Sequence, residues 1–288
     1  MKGFKILDTK NFGLLIGVLV FLLLLLVTTQ TVLIDNFELN VLDFNFRLKN
    51  VVRRTQIQEG VNIQERNPKI SPDILIIGQG LAGSLLAWEL ESRGCRTLVV
   101  DDQHRGCASM AAAGLISTVT GKRLVLQNRI DELLPAARAR YRSLERDLGI
   151  RLLHEMPVLR LFVDETQRET FRRRQADPAY AAYLGPEASS DELAGLAVPF
   201  GGGWIHGTGY LDTRPLLAAL RRWLRDRERL VETAIDPADV RSDGKRIRSG
   251  ELSAGKIIFC DGYRAITNPW FQHLPWAGAK GEILELRL

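Results

Sequence analysis

Between Asp73 and Gly114 the chain has few ways to fold, and the restriction comes from its glycines. Ile74 to Ile77 is a short apolar run, the pattern of a buried parallel strand. Gly78-Gln79-Gly80-Leu81-Ala82-Gly83 follows at once. Leu85, Leu86 and Leu90 then share one helical face, and Gly94 supplies a stop. Thr97 to Val100 is a second apolar run, and Asp101 closes it, 23 positions after Gly78. Strand, glycine turn, helix, strand and terminal acid together predict the first half of a parallel α/β unit.

Each part has a mechanical role in holding a dinucleotide. Gly78 permits the tight turn, Gly80 lets the backbone approach a diphosphate, and Gly83 lets helix and strand pack closely. The helix start at Leu81 and Ala82 would present unpaired N–H groups and a positive dipole end to phosphate. Asp101 stands where it can accept hydrogen bonds from ribose hydroxyls. The bland alternative is an α/β unit whose glycine-rich turn holds no ligand. The fingerprint alone leaves nicotinamide and flavin cofactors both open.

The next segment leans to flavin. Gly106-Cys107-Ala108-Ser109-Met110-Ala111-Ala112-Ala113-Gly114 is a run of small residues, which allows a flat ring or a diphosphate to come close. The order GxGxxG, acid, then AS-x-AAAG resembles the flavin-dependent amine oxidoreductases related to D-amino-acid oxidase, glycine oxidase and sarcosine oxidase. The resemblance implies FAD as cofactor, with Ser109, Ala113 and Gly114 along the pyrophosphate and flavin. It further implies that Ile235 contacts the adenine through its backbone and that Gly262 lies close to the cofactor. The activity it implies is hydride transfer from an amine or amino-acid carbon to flavin. The isoalloxazine does that work, so catalytic residues stay unassigned.

Residues 1–72 read differently. Asn11 to Ile34 is 24 residues without a charge, long enough to cross a bilayer as a helix (about residues 12–34). Lys2, Lys5 and Lys10 favour a cytoplasmic N-terminus, so we expect a single-pass membrane protein with the lipid bilayer as a partner. Residues 35–72 form a juxtamembrane segment and linker. The membrane run, the Leu-Asp-Phe-Asn-Phe-Arg segment at Leu42–Arg47 and the strand at Asp73–Ile77 resemble the start of CHASE-type extracellular sensor domains. Composition also shifts here. Residues 1–70 contain no alanine and 7 Asn, whereas residues 71–288 contain 24 Ala and 2 Asn. We therefore expect a natural fusion or an assembly chimera joined near Asp73–Gly78. A membrane-anchored sensor fragment, or a non-functional hybrid, is the rival to the oxidoreductase reading.

The formal charge of +5 is mild, and the arginines are scattered through helical stretches without interleaved aromatics, so no nucleic-acid partner is expected. Cys95, Cys107 and Cys260 are odd in number and far apart, which supports neither a disulfide framework nor a metal site. Downstream, Leu133, Leu134, Ala137, Tyr141, Leu144 and Leu148 mark a helix over Asp131–Leu148. Val158–Val163 reads as a strand, and Phe171–Glu192 as charged loop or helix without a site. Gly201–Asp212, with Trp204, His206 and Tyr210 between glycines, reads as a pocket rim, His206 being a lesser candidate for catalysis. Asp212 or Thr213 would cap a helix buried through Leu216, Leu217, Leu220, Trp223 and Leu224. Leu230–Ile235, Lys256–Cys260 and Glu282–Leu288 read as strands.

The resulting expectation is a Rossmann-like FAD-binding domain with part of an antiparallel substrate domain over residues 73–288, preceded by one transmembrane helix within residues 1–34. The resemblance covers the first three fifths of such an enzyme, which implies a C-terminally truncated fold and a small-molecule amine or amino-acid substrate.

Overall fold

The structure is a computed structural model that describes residues 72–104 and 106–278. The membrane-helix, CHASE-type and linker expectations, and the strand expected at 282–288, lie outside the described residues. Among the described residues no helix is long and apolar enough to cross a membrane.

A four-stranded parallel sheet organises the described chain. Its strands are β1 (Ile74–Ile77), β2 (Thr97–Val100), β11 (Leu230–Val231) and β15 (Lys256–Phe259), in the spatial order β11-β2-β1-β15. β1 is central, pairing Ile74 with Thr97 on one side and with Lys256 on the other. β2 is buried at every position, which accounts for its unbroken apolar run.

Two helices, α1 (Leu81–Ser92) and α5 (Thr213–Arg225), lie on one face, and a third, α3 (Ile130–Leu148), packs on them. Leu81, Leu85 and Trp88 of α1 pack with Leu133, Tyr141 and Leu144 of α3 and with Leu216, Leu217 and Leu220 of α5. Ile76, Val99, Ala87, Leu90 and Leu224 join these helices to the sheet. Because α1 is packed by the sheet, by α5 beside it and by α3, it is buried around most of its circumference and not along a single stripe. The opposite sheet face rests on an antiparallel meander, β12 (Arg241–Ser242), β13 (Ile247–Ser249) and β14 (Leu252–Ala254), with Ala254 against Leu75, Ile77, Leu98 and Val100.

Beyond this layer, α2 (Ala108–Ala111) leads into β3 (Leu115–Ile116), which joins β6 (Leu153–Glu155) and β10 (Gly209–Leu211) in a second sheet. A short hairpin of β4 (Val119–Thr120) and β5 (Val125–Leu126) follows β3. A third sheet, β7 (Val158–Leu161), β9 (Gly202–Ile205) and β8 (Leu184–Glu187), is antiparallel and carries α4 (Glu165–Gln175). Phe162, Phe171, Tyr180, Leu184 and Ile205 form its core.

Four local expectations need correction. The stretch Phe171–Glu192 holds the end of α4 and the strand β8, which Pro186 disguised; the strand lies at a sheet edge, where a missing N–H costs no ladder bond. Gly201–Asp212, expected as a pocket rim, holds two strands of two different sheets, and glycines within those strands sit where neighbours crowd the backbone: a Cβ on Gly203 would meet the Phe171 ring. Leu230–Ile235 is strand only as far as Val231, and Glu232 turns out to bond arginines of α5. Asp212 precedes α5 but makes no capping bond; its carboxylate takes His154 Nε2 at 2.9 Å instead.

Candidate functional site

The glycine turn lies at the carboxyl end of β1, between the ends of β2 and β15. Gly78 has φ +98°, and a Cβ there would stand 2.5 Å from the carbonyl oxygen of Cys260. Only glycine satisfies both conditions. A Cβ on Gly83 would stand 1.9 Å from the carbonyl oxygen of Gly78, so α1 can begin this close to β1 only without a side chain. The Gly80 position opens toward the small-residue loop, where the nearest atom to a Cβ would be Ser109 Oγ at 3.3 Å.

Backbone donors gather at this point. Gly80 is the residue before α1 and provides no side-chain cap. The first N–H groups of α1 have no carbonyl behind them in the helix. Leu81 N–H donates to Ser109 Oγ at 3.1 Å, which brings the loop serine onto the helix start. The N–H groups of Ala82 and Gly83 point the same way along the helix axis. This is the geometry that attracts a phosphate.

Asp101 is buried at the end of β2 and accepts three donors. Gln79 N–H donates to Oδ1 at 2.9 Å; His104 N–H and Arg221 Nη1 donate to Oδ2 at 2.8 and 2.9 Å. Burial pushes its carboxyl up, but the bonds from Gln79, Arg221 and His104 outweigh that and hold it below the ordinary carboxylate range. Burial pulls the His104 imidazole below its ordinary value; Asp101 opposes this and Arg221 adds to it.

The remaining expected residues fall in three places. Gly114 backs onto β10, where Leu211 N–H donates to its carbonyl at 2.9 Å, and Thr213 Oγ1 donates to the Ala112 carbonyl at 3.1 Å. Ala113, between these anchors, is exposed. Gly262 begins the 3-10 turn Gly262–Ile266 after β15, and Arg264 of that turn reaches Asp102 at 2.8 Å, closing it over the loop that follows β2. Asp261, an acid close to an expected diphosphate, accepts from Asn268 Nδ2 at 2.9 Å and is thereby held by its own turn. Ile235 is not brought to the turn by its side chain, which packs on the meander side of the sheet.

Gln79 and Arg221 were not singled out in the sequence. Gln79 is fully buried, and its amide donates to Ser84 Oγ and the Leu217 carbonyl. Arg221 had a legible signal: it follows Leu217 by four and precedes Leu224 by three, so it lies on the apolar face of its helix. His206 packs against Gly185 in the third sheet and lines no part of this turn. Among the described residues no group of His, Cys, Asp and Glu is arranged to hold a metal ion.

A dinucleotide fits these residues. Gly80, Leu81, Ala82 and Ser109 leave a donor-rich cradle for the diphosphate. A carboxylate offers about four acceptor sites, and Asp101 has three filled, which leaves one for a ribose hydroxyl. The comparison with known families agrees: residues 73–288 match the DAO model, described as FAD dependent oxidoreductase. The chain belongs to the DAO family of FAD-dependent oxidoreductases. Among solved members of similar fold, glycine oxidase from Geobacillus kaustophilus is 20% identical with a TM-score of 0.55; the match covers 71% of this chain and 59% of that one. Glycine oxidase from Bacillus cereus is 20% identical with a TM-score of 0.52, covering 66% and 55%. Iminodiacetate oxidase from a Chelativorans species is 24% identical with a TM-score of 0.50, covering 68% and 56%. The DAO chain described here thus spans less than two thirds of the length of these structures, and at such identities the likeness is one of fold.

Proposed function

We propose that this DAO-family chain holds FAD at the β1–α1 turn and serves the oxidation of an amine or amino acid. Gly78, Gly80, Leu81, Ala82 and Gly83 form the diphosphate cradle, with Ser109 as an adjustable hydroxyl at its rim. Asp101 receives the adenosine ribose through its remaining acceptor site. Ala113 and Gly114 run beside the flavin, Gly262 approaches the cofactor from the end of β15, and Ile235 contributes backbone beside the adenine. FAD, when bound, supplies the acceptor for a hydride from the substrate carbon. The chain's own residues bind and orient.

One observation carries this reading. Leu81 N–H, Gln79 N–H, Ser109 Oγ and the Asp101 carboxylate, from three separate segments, converge on a single glycine turn. The test is titration of the purified full chain with FAD, followed by anaerobic addition of glycine, D-alanine or sarcosine. Saturable quenching of flavin fluorescence, then bleaching of the visible flavin band by one of these amines, supports the reading. Absence of FAD binding refutes it. The 24 uncharged residues from Asn11 to Ile34 support a single membrane helix with a cytoplasmic N-terminus, and alkaline extraction that releases the chain from membranes would overturn this.

A further inference from the structure

Arg221 stands at the back of the cofactor turn. Its Nη1 lies 2.9 Å from Asp101 Oδ2 and also donates to Gln79 Oε1. Its Nε and Nη2 donate to Glu232 Oε1 at 3.0 and 2.6 Å. The side chains of Arg221 and Asp101 are only 11% and 7% exposed, so the pair is desolvated and the usual weakness of surface ion pairs does not apply. An arginine that spans two carboxylates and a buried amide has little rotational freedom left.

We propose that Arg221 is the positioning residue for the cofactor's ribose acid: gripped from outside by Glu232, it fixes the Asp101 carboxylate so that its last acceptor site faces the ribose. This rests on the FAD reading above. Three groups face the acid: Arg221 from α5, Gln79 N–H from the glycine turn, and His104 from its own loop, while Asp102 faces His104 and is held by Arg264. Glu232, beyond β11, faces Arg221 and is shared with Arg225 at 2.7 Å. With Arg221 gone, burial acts on Asp101 with less opposition, and the carboxyl protonates at a higher pH than in the native chain. A protonated Asp101 loses its lock on Gln79 N–H and its strongest acceptor character toward ribose.

The experiment is FAD titration of the full chain and its variants at about pH 7.5 and about pH 5, the lower value being still above an ordinary aspartate pKa. For Arg221→Gln we expect affinity to fall roughly tenfold at the higher pH, the loss of one charge-assisted hydrogen bond, and by a clearly larger factor at the lower pH. Arg221→Lys, which keeps the charge but not the fork, restores part of the loss at both values. Arg222→Gln, an exposed arginine of the same helix, leaves the ratio to wild type unchanged. A deficit for Arg221→Gln that is the same at both pH values shows a merely structural role and overturns the proposal, as does an equal effect in Arg222→Gln. If Arg221→Gln does not fold, Glu232→Gln is read in its place, and an affinity indistinguishable from wild type at the lower pH overturns the proposal. A wild-type chain that binds no FAD instead refutes the cofactor reading, which keeps the two failures distinct.

Discussion

Gly83→Ala is the sharpest test of the way the glycine turn is built. The added methyl would sit 1.9 Å from the Gly78 carbonyl oxygen and 3.3 Å from Cys260 Cβ. Ordinary contact begins near 3.4 Å, so α1 must retreat from β1 by about 1.5 Å or the turn must rotate. Helix propensity works the other way and favours alanine by at most about 1 kcal/mol. Overpacking of a closed site costs about 1–3 kcal/mol, and here the obstacle is backbone, which places it at the upper end. The net expectation is a loss of about 2 kcal/mol, seen as a fall in Tm of roughly 4–8 °C for a domain of this size. FAD affinity should collapse together with it, because the retreat carries the Leu81 and Ala82 N–H groups out of the cradle. Gly80→Ala separates the two effects. Its methyl meets only side-chain atoms, Ser109 Oγ at 3.3 Å and Cys107 Sγ at 3.6 Å, so stability should stay within about 0.5 kcal/mol of wild type while FAD affinity still falls. Differential scanning calorimetry without FAD and flavin titration of both variants give the four numbers. A Gly83→Ala protein as stable as wild type and equally able to bind FAD would refute the close helix–strand approach.

Ser109→Ala removes the acceptor of Leu81 N–H; FAD affinity should drop severalfold by fluorescence titration, with stability lowered by about 1 kcal/mol, the cost of one part-buried donor left without its partner. Asp101→Asn should weaken FAD roughly tenfold and, in urea titrations, flatten acid unfolding. The sign follows from its lowered pKa: the carboxylate's contribution is present above the ordinary aspartate value and is lost as pH falls through the lower folded one, so native stability declines in that acid window and the variant does not share the decline. His104 is depressed as a base, so the unfolded chain binds the extra proton as pH falls through the ordinary histidine range; His104→Gln should remove that part of the slope in the same urea series.

The parallel α/β unit was legible because its constraints are local. Gly83 answers a contact five residues back, the carbonyl of Gly78, and β1, α1 and β2 follow each other without interruption; the atoms that crowd Gly78 and Gly80 come from Cys260 and Ser109, but the spacing of the three glycines is itself local. α3 and α5 were legible because their apolar residues keep helical spacing. That Ser109 and Gly114 belong near the glycine turn was implied by resemblance alone; that Ser109 meets the helix start and Gly114 meets β10 could not have come from spacing, since each contact joins segments about 30 to 100 residues apart. β8 was hidden because Gly185 and Pro186 break any strand pattern in its four residues, and only pairing with β9 makes it a strand. Asp212 was misjudged for a similar reason: a cap competes with any partner that arrives from elsewhere, and His154 arrives from β6, itself stacked on Tyr210 at 4.5 Å. The role of Ile235 was drawn from resemblance alone, and the strand that was to present it ends four residues earlier.

The pairing of β1 with β15 has a bearing on the order of events during synthesis. β1 and its glycine turn are made early, yet the atom that crowds Gly78 is the carbonyl of Cys260, and the ladder partner of Ile77 is Phe259. The turn therefore acquires its final shape only after about 180 further residues have been made and one long loop has closed, a slow class of contact. Until then β1 is a bare apolar edge that can pair with a neighbouring nascent chain. Supply of the cofactor to a growing polypeptide should accordingly do nothing for its yield before β15 has emerged, and should help only afterwards.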